Sequence, residues 1–201
     1  MEPRKAARAA GPPRRHSIPV KPPPEALPIA LRDAGEADIA AITAIYAHHV
    51  RTGTATFELE PPDAPEMLHR WRSITSGGLP YLVAVDASEV IGYAYAAPYR
   101  PRPAYRFTVE DSIYVRNDAH GRGVGRTLLA ELIDRCTHAG ARQMVAVIGD
   151  AHNAASIRLH AALGFRHVGV LASVGYKFAR WLDVIVMQRA LGPGDSAPGE
   201  Q

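Results

Sequence analysis

The sequence predicts a mixed α/β (α+β) fold. In this fold a mixed, mostly antiparallel sheet has a central parallel strand pair and helices on both faces. Three observations lead to the prediction. Apolar runs of strand length alternate with amphipathic helical stretches, a hairpin pattern lies in the N-terminal half, and a strand, a helix and a strand follow one another at 109–148. A strand–helix–strand unit of this kind forms a right-handed parallel crossover, while hairpins supply antiparallel pairs.

The N-terminal half of the domain predicts one strand, two helices and a hairpin. The first helix has an apolar stripe that begins with Ile39 and Ile42, and Gly77-Gly78 ends the second. The tetrapeptide 86–89 joins two strands as a hairpin. In chain order the predicted elements are a strand at 29–31, a helix at 36–50, a polar extended loop at 52–60, a helix capped by Pro61-Pro62-Asp63 and ending near Ser76, and strands at 81–85 and 90–97.

The C-terminal half predicts alternating strands and helices. Leu128, Leu129 and Leu132 form a helical stripe, and Gly140 stands where a helix commonly ends. The run 144–148 is continuously apolar, as in a strand covered on both faces. The predicted elements are a strand at 105–115, a helix at 124–138, a strand at 144–148, a helix capped by Asn153 and ending at Leu163, and closing strands at 165–171 and 181–191.

Charge and proline content divide the chain into a domain and two tails. Residues 1–28 contain six Lys or Arg against two Glu, so a chain of net charge +3 leaves the remainder slightly negative. We expect a disordered, basic, Pro-rich tail at 1–28, a domain at 29–191 and a flexible C-terminal tail at 192–201. A basic tail can bind nucleic acid, but a solvated extension is the simpler interpretation, and we expect no nucleic-acid partner.

Composition argues against several other classes of protein. The 201-residue chain is 47% apolar, and no apolar run approaches the roughly 18 residues of a membrane span. Residues 1–28 lack the apolar core of a secretory signal. The single cysteine, Cys136, excludes an internal disulfide framework and fits a core position better than a nucleophile. We therefore expect a cytoplasmic protein with no membrane partner.

The histidines do not form a metal-binding pattern. His48 and His49 are adjacent, so they face different sides of a helix. His138, His152 and His167 show no ligand spacing. We expect no metal.

A loop with three glycines precedes the helix at 124–138. A phosphate-binding Walker loop needs a longer glycine spacing followed by lysine, and a dinucleotide fingerprint needs GxGxxG, whereas Gly121, Gly123 and Gly125 are one residue short of it. The loop can be a cradle of N–H groups for an anion such as a diphosphate, with Arg122 and Arg126 adding charge. It can equally be a tight strand-to-helix turn with no ligand.

The same loop, HGRGVG at 120–125, resembles the acetyl-coenzyme A loop [Q/R]-x-x-G-x-[G/A] of the GCN5-related N-acetyltransferases (GNAT). Gly123 and Gly125 match, and His120 replaces the usual Gln or Arg. The chain resembles the phosphinothricin and methionine sulfone acetyltransferase branch over about residues 29–190. The carrying stretches are TGTATF at 52–57, YAYAAP at 93–98, RPRPAYRFTVE at 100–110, VAVIG at 145–149, Asn153, LHAALGF at 159–165, GYK at 175–177, Trp181 and Asp183. The loop 149–153 is one residue longer than in phosphinothricin-resistance enzymes.

The resemblance implies the GNAT fold, acetyl-CoA as co-substrate and a site for it. A diphosphate is expected at the glycine loop and the pantetheine arm along the preceding strand. The residues implied in cofactor binding are Ile113, Tyr114, Val115, His120, Gly121, Arg122, Gly123, Val124, Gly125, Arg126 and Asn153. Asn153 is equally suited to cap a helix.

Two residues are candidates for proton transfer. Acetyl transfer to an amine requires that the ammonium lose a proton. Glu110, in a strand, should be partly desolvated, and desolvation raises a carboxyl pKa toward neutrality. From the residues alone, a surface position or a pair with Arg106 is as plausible. His160 shares a helix face with Ile157 and should point inward. The resemblance implies that His160 is catalytic and coupled to Glu110, with the immediate proton acceptor undecided.

The resemblance also implies a small amino-acid-like acceptor: phosphinothricin, methionine sulfone or methionine sulfoximine. Arg100, Arg102 and Lys177 are candidates to bind its anionic groups, and Phe57 and Tyr105 to wall the pocket. A homodimer is implied in the same way. The alternatives are acetylation of another small amine or of a protein amine, or a non-catalytic acyl-CoA-binding module.

Overall fold

The computed structural model describes residues 29–199, so the predicted tail at 1–28 and the last two residues lie outside the described part of the chain. Seven strands and four α-helices alternate much as the sequence predicts. The strands are β1 (Ala30–Asp33), β2 (Tyr81–Asp86), β3 (Glu89–Pro98), β4 (Thr108–Val115), β5 (Gln143–Gly149), β6 (Arg166–Lys177) and β7 (Arg180–Ala190). The helices are α1 (Ile39–Thr52), α2 (Ala64–Ser76), α3 (Val124–His138) and α4 (Ala154–Ala162).

All seven strands form one sheet in the order β1-β2-β3-β4-β5-β7-β6. Only β4 and β5 run parallel, and α3 connects them. Successive strand residues face opposite sides of the sheet, so Leu82 packs with Leu128 of α3 in one core and Val83 packs with Ile42 of α1 in the other. The predicted fold class is therefore confirmed.

Two strands differ from their predicted bounds. Residues Pro103–Tyr105 form a 3-10 turn, so β4 begins at Thr108 and not at 105. Strand β6 continues to Lys177, well beyond the predicted end at 171, and turns directly into β7. The turn residues Phe178 and Ala179 have φ values of 51° and 57°. Such turns usually contain Asn-Gly, so the sequence gives little sign of this one.

The parallel pair of strands is short and then opens. The pairing joins Thr108–Glu110 to Gln143–Val145, and beyond it the two strands separate. β4 stays paired with β3 as far as Val115, and β5 stays paired with β7 as far as Gly149. The backbone edges at 111–115 and 146–149 therefore face each other across a gap.

Two other features complete the description of residues 29–199. None of the helices there has the length and apolar character that a membrane crossing requires. The predicted flexible tail at 192–201 stays a prediction, and its described part contacts the domain, because Arg142 Nη2 donates to Pro198 O at 3.0 Å.

Candidate active site

The gap between β4 and β5 is a cleft of about 950 Å³. Its walls are the two strand edges, the loop after α1, the glycine loop before α3, and the segment 149–160 that leads into and forms most of α4. Predicted site residues in the lining are Phe57, Glu110, Ile113, Tyr114, Val115, His120, Gly121, Gly123, Val124, Gly125, Arg126, Asn153 and His160. Those outside it are Arg100, Arg102, Tyr105, Arg122 and Lys177.

The glycine loop presents backbone N–H groups to one end of the cleft. Gly121 and Gly123 have φ values of 76° and 82°, in a left-handed region that other residues enter only at a cost. Gly123 precedes α3, and Thr127 N is bonded to Gly123 O at 3.0 Å. The N–H groups of the first helical turn before Thr127 have no carbonyl within the helix to bind. With the positive end of the helix dipole, they form a site suited to an anion.

Of the two arginines of this loop, only Arg126 lines the cleft. The guanidinium of Arg122 is held elsewhere, since its Nη2 donates to Asp86 Oδ2 at 2.7 Å. Arg126 therefore supplies the positive side-chain charge that the sequence predicts at this end of the cleft. Arg122 forms an ion pair with Asp86 on the surface instead.

His49 of α1, to which the sequence analysis assigned no role, contacts the open edge of β4. His49 of α1 donates from Nε2 to Val115 O at 2.9 Å, and His120 Nε2 lies 3.1 Å from the same oxygen. Burial lowers the pKa of His49, and the charges of His48 and His120 act in the same direction, outweighing the bond to Val115. A neutral ring with its proton on Nε2 fits this contact. Its position seven residues after Ile42, on the apolar stripe of α1, was the one sequence feature that could have indicated this inward contact.

Asn153 occupies the second helix start that faces the cleft. Its Oδ1 accepts from Ser156 N at 3.2 Å, which caps α4, and the side chain also lies in the cleft lining. The capping function and a contact with a bound molecule are therefore compatible.

Glu110 lies in the cleft lining at the point where the strands separate. Burial raises the pKa of its carboxyl group, the charge of Asp111 raises it further, and the charge of Arg100 partly opposes them. The possible partner Arg106 stacks on the ring of Phe107, with 4.5 Å from Cζ to the ring centroid. The carboxylate is thus partly desolvated, as the sequence predicts.

His160 is hydrogen-bonded to Asp111. Among the described residues no hydrogen bond joins it to Glu110, so the predicted coupling of these two residues stays a prediction. His160 Nε2 lies 3.0 Å from Asp111 Oδ2, and both side chains are at most 5% exposed. Its Nδ1 lies 2.8 Å from Ser156 O. The physical reason that His160 contacts Asp111 is strand alternation: Glu110 and Asp111 are adjacent in β4 and point to opposite faces of the sheet.

Phe57 holds the loop after α1 against two strands. Its ring packs where a Cβ atom at Gly149 of β5 or at Gly175 of β6 would collide with it. Lys177 fixes the same loop from beneath, because its buried Nζ donates to Thr56 O at 2.8 Å. Burial lowers the pKa of Lys177, and Glu58 partly opposes this shift.

The remaining predicted acceptor residues lie on the connection between β3 and β4. The guanidinium of Arg100 stacks on Tyr99, with 4.8 Å from Cζ to the ring centroid, and Tyr105 packs edge-on to the same ring. Arg102 is exposed. The charge of Arg100 acts on Glu110, so this connection lies near Glu110 even though it does not line the cleft.

Asp150 organises the loop after β5, and the sequence analysis missed it. Its carboxylate accepts from His152 N at 3.0 Å, Thr54 Oγ1 at 3.1 Å and Arg180 Nη2 at 2.8 Å. It therefore joins three separate segments of the chain. The bond from His152 N is the largest cause that lowers its pKa, to about 2, against the opposing effect of burial. The bond from His152 N is local, but Thr54 and Arg180 are distant along the chain, so the sequence does not show that Asp150 joins these segments.

Within residues 29–199, no three His, Cys, Asp or Glu side chains are grouped so that they could hold a metal ion. The site is therefore built from backbone N–H groups, two buried or half-buried carboxylates and a histidine. An anion cradle joined by an open strand edge to a desolvated carboxylate agrees with the acetyl-CoA-dependent acyltransferase that the sequence resemblance implies.

Comparisons with known proteins identify the family. The acetyltransferase (GNAT) family model matches residues 42–165, and the chain belongs to this family. It is 59% identical over 159 residues to a phosphinothricin N-acetyltransferase of Alcaligenes faecalis, a match covering 79% of this chain and 81% of the relative. It is 46% identical to an L-methionine sulfoximine/L-methionine sulfone acetyltransferase of Pseudomonas paraeruginosa, covering 84% and 98%.

Solved structures agree with this assignment. A phosphinothricin acetyltransferase of the GNAT superfamily from Sinorhizobium meliloti, crystallised with acetyl-CoA, superposes with a TM-score of 0.84 at 51% identity. The match covers 86% of this chain and 94% of that chain.

The hydrogen bonds of Asp150 lead to a stability prediction. A carboxyl group whose pKa is depressed on folding stabilises the folded state above its unfolded pKa and loses this effect as the pH falls toward the folded value. With a folded pKa of about 2 against an ordinary value of 3.8, Asp150→Asn should lower the free energy of unfolding by about 2 kcal/mol at pH 7. The deficit should shrink between pH 4 and pH 2.

Urea unfolding at several pH values measures this difference. Asp134→Asn is the matched control, because Asp134 is 64% exposed and its one ion pair among the described residues is with the exposed His138. A deficit for Asp150→Asn that stays constant down to pH 2 would show that the ionised form is not what stabilises the loop.

Proposed function

We propose that this protein is an acetyl-CoA-dependent N-acetyltransferase that acts on the amine of a small amino-acid-like acceptor. The observation that supports this most directly is the cleft itself, with an anion cradle at one end and a desolvated carboxylate, Glu110, at the other. A cytoplasmic enzyme is expected, since acetyl-CoA is an intracellular metabolite.

The residues of the cleft fit acetyl-CoA. The free N–H groups at Val124, Gly125 and Arg126 suit its diphosphate, and the Arg126 side chain adds a positive charge. The open edge of β4 at Ile113–Val115 offers backbone groups for the amides of the pantetheine arm. Asn153, at the start of α4, lies on the opposite wall. When bound, acetyl-CoA supplies an acetyl group activated as a thioester.

Glu110 is the residue that accepts the proton of the acceptor's ammonium group. A carboxylate with a raised pKa is a better proton acceptor than an exposed one, and Glu110 faces the cleft where the strand edges part. The freed amine then attacks the thioester carbon directly: the C–N bond forms, the C–S bond breaks, and the thiolate of CoA takes the remaining proton of the nitrogen and leaves as the thiol. A backbone N–H of the open β4 edge is suited to stabilise the oxyanion.

No enzyme nucleophile is needed for this reaction, and the single cysteine does not offer one. Cys136 is fully buried in the core, and burial, helped by the charge of Asp111, raises the pKa of its thiol to about 12. The thiol is therefore protonated at neutral pH and has no access to the cleft.

Phosphinothricin, methionine sulfone and methionine sulfoximine are the proposed acceptors. Support comes from the two relatives named for these substrates, at 59% and 46% identity. Arg100, Arg102 and Lys177 are proposed to bind the acceptor's anionic groups, and Phe57 and Tyr105 to contact its methyl and methylene groups. Of these only Phe57 lines the cleft, so for Arg100, Arg102 and Tyr105 the proposal requires the 98–107 connection to close over the acceptor. Lys177 is buried and donates to Thr56 O, so its contact with the acceptor requires the loop after α1 to move as well. Acetylation of phosphinothricin would confer resistance to that herbicide.

Release of the CoA thiol from acetyl-CoA tests the function. We expect turnover with phosphinothricin, methionine sulfone or methionine sulfoximine, and none with a lysine peptide. Glu110→Gln keeps the size of the side chain but removes the base, so it should lower kcat by about 10²–10⁴-fold. Glu60→Gln, an exposed carboxyl group outside the cleft, is the matched control. Turnover of the peptide alone would contradict the proposed acceptor, and acetyl-CoA binding without any turnover would favour a non-catalytic module.

The raised pKa of Glu110 gives a pH dependence. The base acts in its ionised form, so the rate should fall as the pH decreases through its pKa, at a higher pH than for an exposed glutamate. A kcat/KM profile between pH 4.5 and 8.5 measures this acidic limb, with acetyl-CoA binding followed in parallel. The limb should be absent from the residual activity of Glu110→Gln. An acidic limb that persists in this variant would assign the ionisation to another group.

We also propose that the enzyme is a homodimer that associates through β6. This strand is twelve residues long and stands at the end of the sheet, with a partner strand on one side only. Large apolar side chains along β6 and at the start of β7 are 49–66% exposed. They are Val168, Val170, Leu171, Val174, Tyr176 and Trp181. A contiguous apolar surface of this kind on an edge strand is typical of an interface.

Light scattering during gel filtration tests the dimer. The wild-type protein should have about twice the chain mass of 21.7 kDa. Val170→Glu combined with Trp181→Glu should give a monomer, because two charges would be buried in the interface. Leu59→Glu, at a position that is 71% exposed outside this surface, should leave the dimer intact. A wild-type monomer at micromolar concentration would rule out this interface.

A further inference from the structure

Asp111 is a carboxylate placed inside the main hydrophobic core. Its strand neighbours on the same face, Val109 and Ile113, pack against α3 in that core. Glu110 lies between them and faces the other side of the sheet, as does Tyr114, which packs with α1. The side chain of Glu110 therefore lies on the opposite side of the sheet from that of His160. Both side chains line the cleft because β4 and β5 have separated there.

The Asp111 carboxylate has one polar partner among the described residues. Oδ2 contacts His160 Nε2, while Oδ1 is buried without a hydrogen bond. An isolated buried carboxylate is strongly disfavoured, and a half-satisfied one contributes little to stability. His160 is thus the group that makes an ionised Asp111 tolerable in the core.

The protons of the His160 ring can be assigned from its two neighbours. Ser156 O is a carbonyl oxygen and only accepts, so Nδ1 must carry a proton to make the 2.8 Å contact. Nε2 faces a carboxylate oxygen, so that contact must also contain a proton. Both ring nitrogens are then engaged, and neither has a free lone pair for a proton from the acceptor.

We infer that Asp111 is a positioning residue that holds His160 as a doubly protonated imidazolium, so that His160 is not a base and Glu110 alone accepts the acceptor's proton. The claim that Glu110 alone accepts the proton rests on the proposed function. The claim that the His160 ring is doubly protonated does not depend on turnover.

The groups around the ring agree with the charged form. Burial lowers the pKa of His160, but the hydrogen bond and the charge of Asp111 outweigh burial, and the net shift is upward. The other groups facing the pair are the Ser156 hydroxyl from α4, 3.3 Å from Nδ1, and the ring of Phe165, edge-on at 4.9 Å. From α3 the neighbouring titratable group is the Cys136 thiol, which is neutral at pH 7.

Nitrogen NMR of ¹⁵N-histidine-labelled protein tests the protonation directly. At pH 7 both ring nitrogens of His160 should show imidazolium shifts, assigned by their loss in His160→Asn. His49 is the matched internal control, since it is half-buried and bonded to a carbonyl oxygen, and no hydrogen bond joins it to a carboxylate among the described residues. Its ring should be neutral with the proton on Nε2.

Replacement of the Asp111 carboxylate should remove the positive charge of the His160 ring. In Asp111→Asn the His160 signals should change to those of a neutral ring with its proton on Nδ1, whereas the exposed control Asp134→Asn should leave them unchanged. Asp111→Ser provides a second variant if the first does not fold. A neutral His160 with a free Nε2 in the wild-type protein, or an imidazolium that persists in both variants, would overturn the inference.

The kcat/KM profile tests the second half. His160→Asn should lower kcat by about 10-fold or less and keep the acidic limb, whereas Glu110→Gln should lose the limb. Loss of the limb in His160→Asn would make His160 the base and overturn this half. If no acceptor turns over, the proposed function fails while the NMR result still decides the state of the ring.

Discussion

The separation of β4 and β5 after three paired residues is the constraint on which the rest of the site depends. Each strand remains paired on its other side, so the sheet opens without unravelling. The gap leaves two rows of backbone groups that no strand satisfies, and such groups need a partner. Because α3 and α4 both begin beside this gap, their N-terminal N–H groups face the same space. One local change in strand pairing thus produces an extended site for a polar, anionic molecule.

Strand alternation then divides the two acids of β4 between two environments. Glu110 is directed to the half-open side, where burial is partial and its carboxyl group lines the cleft. Asp111 is directed into the core, where its only described partner is His160. Two adjacent residues of similar chemistry therefore have different properties. The difference comes from the pleat of the strand and not from the residue type.

Local patterns in the sequence predicted most of the fold, and distant contacts explain most of what they missed. The stripe of α3, the hairpin at 86–89 and the glycine loop are each encoded within a few residues, and all three were found. The length of β6 was missed because its turn uses Phe178-Ala179 at positive φ. The partner of His160 lies 49 positions away and those of Asp150 as many as 96 away. No spacing rule reports such pairs, and the resemblance supplied residue types without their orientation.

The seating of Phe57 links two parts of the molecule that the sequence keeps far apart. Its ring fills the space left by glycines in β5 and β6, so one wall of the cleft rests directly on β6. Val170 and Tyr176 on the opposite face of β6, with Trp181 beside them in β7, belong to the exposed apolar surface. Mechanically, the cleft wall and the outer surface are the two sides of a single strand. Phe57 is therefore the side chain through which a shift of that strand would reach the pocket, and a bulkier side chain at either glycine would displace its ring.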